Sequence, residues 1–551
     1  MSASSPRQPR TAIAPFAVTA AQMRAIERRV FEAGMPVAAL MEKVGLLITQ
    51  KILQGLPDYI DDRHPVIVGI LVGPGHNGGD GLVVARELWL RGFSVQLFHP
   101  FERRKPLTDD HWRYCNSVGI PIAQSVDELL ISPELPSLRS PEKSNILLID
   151  ALFGFGLERE ITGELAAAIA QINASGHPVF SIDLPSGVHT DTGQSLGAAI
   201  RATHTFCLGL WKRCFLQAAA LAHQGKTSLI DFHLPLADIN TILPAPNPKR
   251  ITPETWCCPA PRLPDSHKYT QGHLLLIVGS QTYSGAAILA GLGARSSGVG
   301  MLTLAVPASL KPILTAQLPE ALVIGCPETD DGAIAQLPTD LLAKRPHRRP
   351  YDSIAAGCGL TVPPAQTLLP QLRQTDVPLV LAAAALPALA QTTGPLARTA
   401  PTILTPHPGE FKRLCPQLAS TLASDRLNAA TQAAQYWQSL ILLKGARTVL
   451  ADAQGNCQGV AHSTPALARG GSGDVLAGLL GGLWAGALAA KNSDRPWEGE
   501  WLDWAATAAG WHAEAGILAA AGRSPLGVDG SHLAKALMQV AATAPTMQGS
   551  V

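Results

Sequence analysis

The sequence predicts an α/β chain carrying two mainly parallel sheets. Short apolar runs recur along it and alternate with helical or loop segments, a pattern that right-handed crossovers convert into a parallel sheet covered on both faces. The cycle stops at a proline-rich segment and starts again beyond it. At 551 residues the chain is also too long for one ordinary domain. Apolar residues make up 46% and charged residues 15%, which suits large cores under thin polar surfaces. A formal charge of +1 sets up no field for nucleic acid or an anionic membrane, so neither is an expected partner. The nine cysteines show no Cys-x-x-Cys and no metal spacing with histidine, which implies a reduced, cytoplasmic compartment.

Residues 1–18 hold Arg7 and Arg10 but no continuous apolar core, and read as a disordered leader. A helical pattern runs from Thr19, a capping residue, to about Gln54, with Met23, Ile26, Val30, Leu40, Val44, Leu47 and Ile48 at spacings of three and four. Strands are expected at Val66–Val72, Val95–His99, Ile146–Asp150, Val179–Asp183 and Thr203–Leu208. These elements make a first domain over 19–242. The segment 243–261 is a semi-rigid proline-rich linker. A second domain over 262–551 brings strands at Leu274–Val278, Met301–Val306, Ser353–Ala356, Leu379–Leu381, Ile403–Leu404 and Ser439–Leu443, with alanine-rich helices ending near Val540. Val475 to Ala490 is apolar and glycine-rich but short, and is expected as a buried helix rather than a membrane span.

The most telling stretch is Gly73-Pro74-Gly75-His76-Asn77-Gly78-Gly79-Asp80-Gly81, between a strand and a helix. Its glycines permit close backbone approach, and helix-start amides favour an anion. It lacks both the P-loop ending and the dinucleotide Gly-x-Gly-x-x-Gly spacing. Two further loops follow strand ends: Asp150-Ala151-Leu152-Phe153-Gly154-Phe155-Gly156-Leu157-Glu158-Arg159-Glu160 and Asp183-Leu184-Pro185-Ser186-Gly187-Val188. In an open parallel sheet ligands bind outside those ends, so Asn77, Asp80, Asp150, Asp183 and Ser186 can share one crevice. The oxygens of Asn77, Asp150 and Ser186 suit a hard or alkali cation. Asp183 would be a free carboxylate facing the ligand, able to shuttle one proton in a reaction without net redox change.

These three loops, with Leu40-Met41-Glu42 in the opening helix, closely resemble the NAD(P)H-hydrate epimerase family over about 19–240. The resemblance implies a Rossmann-like three-layer domain that interconverts the two epimers of hydrated NADH and NADPH. It implies that His76, Asn77, Gly78, Gly79 and Asp80, together with Gly154 to Glu160 and Asp183, bind the hydrate. Asn77, Asp150 and Ser186 would hold K+, and Asp183 would be the acid/base. His76 stands where the family usually has a second Asn.

In the second half, Leu467-Ala468-Arg469-Gly470-Gly471-Ser472-Gly473-Asp474 opens a helix, exposing amides to an anion and placing Asp474 in the first turn. Leu443-Lys444-Gly445-Ala446-Arg447-Thr448 ends a strand with a lysine and a turn. Thr405-Pro406-His407-Pro408-Gly409-Glu410 braces a histidine between two prolines. These pieces, with Ser284-Gly285-Ala286, are similar to the ADP- or ATP-dependent NAD(P)H-hydrate dehydratases, which are ribokinase-like, over about 262–540. The resemblance implies that Ala286, Gly359, His407 and Asp474 line the hydrate site. Lys444, Gly445, Ala446, Arg447, Thr448 and Gly473 would bind nucleotide, and Asp474 would be catalytic. Departures are Ala382-Ala383-Ala384-Ala385 for the usual Asp-Ala-Asp-Ala, Cys358 for a Pro, Arg469 for a Thr, and Ala513 for a Gly.

The expected activity is therefore repair of hydrated NADH and NADPH: epimerisation of the R and S hydrates, then nucleotide-dependent dehydration of the S hydrate. The cofactors implied are K+, ADP or ATP as co-substrate, and Mg2+; the partners are these small molecules, in a homo-oligomer. Two rival readings of the second half are a small-molecule kinase and a non-catalytic nucleotide-binding regulatory domain.

Overall fold

The computed structural model describes residues 13–59, 66–130, 145–243, 247–257, 259, 262, 264–343, 351–392, 394–491 and 497–543. The chain divides into two compact units, Met1–Asn247 and Pro248–Val551.

The first unit holds a seven-stranded sheet. Its strands in chain order are β1 (Ile67–Val72), β2 (Ser94–Phe98), β3 (Ile122–Ala123), β4 (Ile146–Ala151), β5 (Val179–Ile182), β6 (His204–Leu208) and β7 (Lys226–Ile230). They lie in the order β3-β2-β1-β4-β5-β6-β7, all parallel. The order reverses direction between β1 and β4, which puts the exits of β1, β4 and β5 side by side. Ile70, Ile149, Phe180 and Phe206 are buried beneath helices.

The helical pattern from Thr19 resolves into two helices, Ala20–Glu32 and Val37–Gly55. The break is at Gly34, whose φ of +102° an L side chain rarely adopts, followed by Pro36. Thr19 caps the first, accepting from Gln22 N–H at 3.1 Å.

The expected leader is too long at its far end. Ile13, Ala17 and Val18 are buried, and Ala17–Val18 pair in parallel with Trp211–Lys212. Only residues 1–12 of it lie outside the described chain. The linker expectation also needs correction. Lys249–Ile251 (β8) adds a strand to the second sheet, pairing in parallel with Cys457–Val460, so 248 rather than 262 begins the second unit.

The second sheet has ten strands. After β8 come β9 (His273–Ile277), β10 (Met301–Pro307), β11 (Leu322–Cys326), β12 (Ser353–Ala356), β13 (Leu379–Leu381), β14 (Thr402–Leu404), β15 (Leu440–Leu443), β16 (Val449–Ala451) and β17 (Cys457–Val460). The order is β8-β17-β16-β15-β14-β13-β12-β9-β10-β11. Only the pairs around β16 are antiparallel. Helix Ser472–Lys491 packs tightly on helix Ser284–Ser296: a methyl at Gly293 would stand 2.0 Å from the Val475 carbonyl, and one at Gly478 1.9 Å from the Ala290 carbonyl. Among the described residues Ser472–Lys491 is the one helix long and apolar enough to cross a membrane, but 83% of its apolar window is buried in the fold. It is a core helix, as the sequence suggested.

Candidate active sites

In the first unit the three loops converge. Phe155 N–H donates to Asp183 Oδ2 at 2.8 Å, and Phe153 N–H donates to Ser186 Oγ at 2.9 Å. A methyl at Gly154 would lie 2.9 Å from Asp183 Oδ2 and 3.2 Å from Asn77 Oδ1. Asn77, Asp183 and the 153–155 backbone therefore share one patch at the sheet exit. Asp183 itself sits at φ +69°, a left-handed conformation that costs about 1–2 kcal/mol for a non-glycine residue.

Asp150 is fully buried and saturated. Its Oδ1 accepts from Ser186 Oγ at 2.5 Å and Leu152 N–H at 3.2 Å; its Oδ2 accepts from Ser181 Oγ and Ser186 N–H, both at 2.8 Å. Burial pushes its carboxyl up, and these bonds oppose the shift without cancelling it. Asp150 thus fixes Ser186 and the loop behind Asp183.

The glycines mostly serve packing. A methyl at Gly73 would stand 1.7 Å from the Leu152 carbonyl, one at Gly78 2.0 Å from the Gly73 carbonyl, one at Gly79 2.6 Å from Met41 Sδ, and one at Gly81 2.5 Å from Ala151 Cβ. Only Gly75 of the five opens into free space. His76 is exposed at the helix start, pushed below its usual pKa by burial and Lys105. Asp80 is buried, and burial, then Asp183, then Glu27 hold its carboxyl well above the ordinary range. Leu157 is half-buried; Glu158, Arg159 and Glu160 form the exposed rim, with Glu158 3.4 Å from Arg24.

The reading of Asp183 as a free carboxylate is corrected by a residue that sequence reasoning missed. Lys212, fully buried, places Nζ 2.5 Å from Asp183 Oδ1 and 2.7 Å from the Leu208 carbonyl. Burial opposes the lysine charge, but Asp183 outweighs it and the ammonium is held. Strand pairing of Val18 with Lys212 fixes its backbone. A lone lysine inside Cys-Leu-Gly-Leu-Trp-Lys-Arg-Cys-Phe-Leu was the available signal, since an unpaired buried lysine is rare.

In the second unit the strand exits again collect the expected residues. A methyl at Gly359 would lie 2.9 Å from Ala286 Cβ. The next residue back, Cys358, hydrogen-bonds Asp474 through its thiol. Burial pushes the Asp474 carboxyl up, while Cys358 and Lys444 oppose the shift. Lys444 Nζ is 3.4 Å from where a Gly473 methyl would be and 3.7 Å from Glu410 Oε2. His407 caps helix Pro408–Leu414: its Nδ1 accepts from Gly409 N–H at 3.0 Å, and Glu410 accepts from His407 N–H at 2.8 Å. Gly445 and Ala446 are exposed in a turn closed by Thr448 Oγ1 to the Gly445 carbonyl at 3.1 Å, with Arg447 buried behind it. The alanine run leaves β13 at the same end. The Ala382 carbonyl would be 1.8 Å from a Gly357 methyl, and Ala383 has φ +44°.

His512 immediately precedes Ala513, one of the departures. It is buried, its Nε2 lies 3.1 Å from Ser472 Oγ and 3.0 Å from the Ser472 carbonyl, and burial lowers its pKa to about 4. A neutral imidazole thus pins the residue that starts the helix of Asp474.

Two sheet-exit crevices, each gathering aspartate, a lysine and a glycine-rich helix start, define a two-site α/β enzyme. Comparison with known proteins agrees. A family profile described as NAD(P)H-hydrate dehydratase matches residues 274–539, and one described as YjeF-related protein N-terminus matches 37–214. The bifunctional NAD(P)H-hydrate repair enzyme of Thermosynechococcus vestitus is 47% identical, over 93% of this chain and 95% of its own length. The Synechocystis enzyme of the same description is 48% identical over 95% and 94%. A solved Bacillus subtilis ADP/ATP-dependent NAD(P)H-hydrate dehydratase, co-crystallised with ATP and Mg2+, is 32% identical and covers 53% of this chain and 96% of that one, at a TM-score of 0.45. The chain belongs to the family of bifunctional NAD(P)H-hydrate repair enzymes.

Proposed function

We propose that the first unit interconverts the R and S hydrates of NADH and NADPH, and that the second dehydrates the S hydrate at the expense of ADP or ATP. The observation that carries this is the convergence of Asp183 and Asp474 with sequence-distant partners at the exits of two separate sheets. Hydroxide leaves the hydrated ring poorly, whereas a phosphate ester leaves well when the ring nitrogen pushes. Asp474 would take the proton of the ring hydroxyl as it attacks a phosphoryl group. Lys444 and the amides of Gly473 and its neighbours then stabilise the charge on that group.

Asn77, Asp150 and Ser186 would hold K+. They are oxygen donors from three loops that meet at the sheet exit: Ser186 Oγ is bonded to Asp150 and accepts from the Phe153 amide, and Asn77 Oδ1 stands beside the Gly154 backbone. They suit a hard ion that binds oxygen, for which Asp150 would exchange one of its four hydrogen bonds. Mg2+ would arrive on the nucleotide phosphates, facing Asp474 and Glu410, and would supply charge neutralisation. The test is to give the purified chain each hydrate epimer with and without ADP or ATP. Exchange of epimers without nucleotide and return of NADH absorbance with it are expected. Accumulation of a stable phosphorylated product instead would favour the kinase reading.

A further inference from the structure

Helix Ala20–Glu32 forms a wall of the first crevice. Met23 Cε is 3.0 Å from where a Gly209 methyl would stand, and Arg24 Nη2 is 2.5 Å from the corresponding point at Gly156. Glu27 lies four residues after Met23 and three after Arg24, so all three share one helix face. That face looks onto the space between the 154–156 loop and the end of β6. There Leu208 N–H and Lys212 Nζ both meet Asp183 Oδ1, at 3.4 and 2.5 Å.

The crevice therefore holds three carboxyl groups, Glu27, Asp80 and Asp183, against one ammonium, Lys212. Two buried carboxylates and a half-buried third, set against one cation, cannot all stay ionised. Lys212 is committed to Asp183. The remaining pair must keep a proton near neutrality. Burial first, and Asp183 third, push Glu27 up to about 7, with Lys212 opposing.

We propose that Glu27 carries the proton in epimer exchange, while Lys212 holds Asp183 as a fixed negative charge. This rests on the epimerase reading of the first unit. In the forward step the C–O bond at the hydrated carbon breaks as the Glu27 carboxyl protonates the departing oxygen. Water leaves, and the ring-nitrogen lone pair forms the C=N bond. The cationic ring is stabilised by Asp183. Water then adds to the opposite face and its surplus proton returns to the Glu27 carboxylate. No proton, electron or co-reactant is consumed. The charged groups around Glu27 are Arg24 on its own helix, Asp80 from helix His76–Leu90, Asp183, Lys212, Glu158 on the rim, and Asp238 of helix Leu236–Ile242, which Arg29 engages at 2.8 Å.

The experiment starts from one pure epimer of hydrated NADH without nucleotide and follows exchange across neutral pH for the full chain and for Glu27→Gln and Glu27→Asp. Glu27→Gln should lose about 100-fold or more in kcat with KM nearly unchanged. The wild-type inflection near neutrality should vanish with it. Glu27→Asp should recover part of kcat and shift the inflection. Glu27→Gln within about threefold of wild type, or keeping the inflection, overturns the assignment; the dehydration rate of the same sample reports folding. If Glu27→Gln fails to fold, an Asp variant whose inflection stays in place overturns it. A wild type without exchange overturns the epimerase reading and this assignment together, whereas an active wild type matched by Glu27→Gln overturns the assignment alone.

Discussion

Asp183 and Asp474 occupy corresponding places in the two units, yet they are held in opposite ways. Asp183 is nearly sealed, left-handed in backbone and clamped by a buried lysine. Asp474 rides the first turn of a helix, half-buried, with a thiol and a more distant lysine for company. The glycines beside them differ likewise. Those at 73, 78, 79 and 81 are demanded by protein atoms, whereas in the second string only Gly471 is, by its φ of +92° and by Leu289, while Gly470 faces open space and Gly473 meets only a lysine tip. Similar glycine-rich strings thus mark one site that the fold must build and another that it leaves open. In the first unit chemistry and stability are coupled; in the second they are separable.

The largest test of that contrast is kinetic. Asp183→Asn should cut epimer exchange by about 100-fold or more and leave dehydration intact, and Asp474→Asn should do the reverse. Assaying both reactions on each variant would break the two-site assignment if either change lowered both. Stability should separate them next. Asp183→Ala strands a buried ammonium, a loss of about 3–5 kcal/mol in the first unit, while Asp474→Ala should be nearly neutral in urea or thermal unfolding. Equal effects would mean that the Lys212 clamp is not what distinguishes the two. Among glycines, Gly78→Ala should destabilise by about 1–3 kcal/mol through overpacking. Gly473→Ala should keep its melting temperature and weaken nucleotide binding instead, as titration calorimetry would show.

A smaller effect concerns His512. His512→Ala leaves Ser472 without its brace and should cost about 1–3 kcal/mol with a several-fold slower dehydration. The smallest is a pH trend. Folded Glu27 keeps its proton to about pH 7, against an ordinary 4.5 when free, so the folded state binds more protons between those values. Stability is fully present below the lower value and declines as pH rises through the higher one. Glu27→Gln should flatten that decline in melts at several pH values.

Much of this was readable in the chain. Ser353–Ala356 and Leu379–Leu381 are apolar runs bounded by turn residues, and they match their observed strands residue for residue. The three loops of the first site and the Asp474 helix start were legible because each has a local pattern. What was missed has none. Lys226–Ile230, Leu322–Cys326, Val449–Ala451 and Cys457–Val460 are short or half-polar segments that become strands only because a neighbouring strand offers its backbone. Lys212, Glu27 and His512 are single side chains whose partners come from distant segments, so tertiary folding alone gives them meaning.

The edge strand Lys249–Ile251 has a practical consequence for anyone separating the two activities. Cutting the polypeptide at 262, where the prolines end, would strip Cys457–Val460 of its outer neighbour. An unpaired strand border would then face solvent, ready to recruit other chains into aggregates. A free-standing dehydratase should begin no later than Pro248, the first residue of its unit.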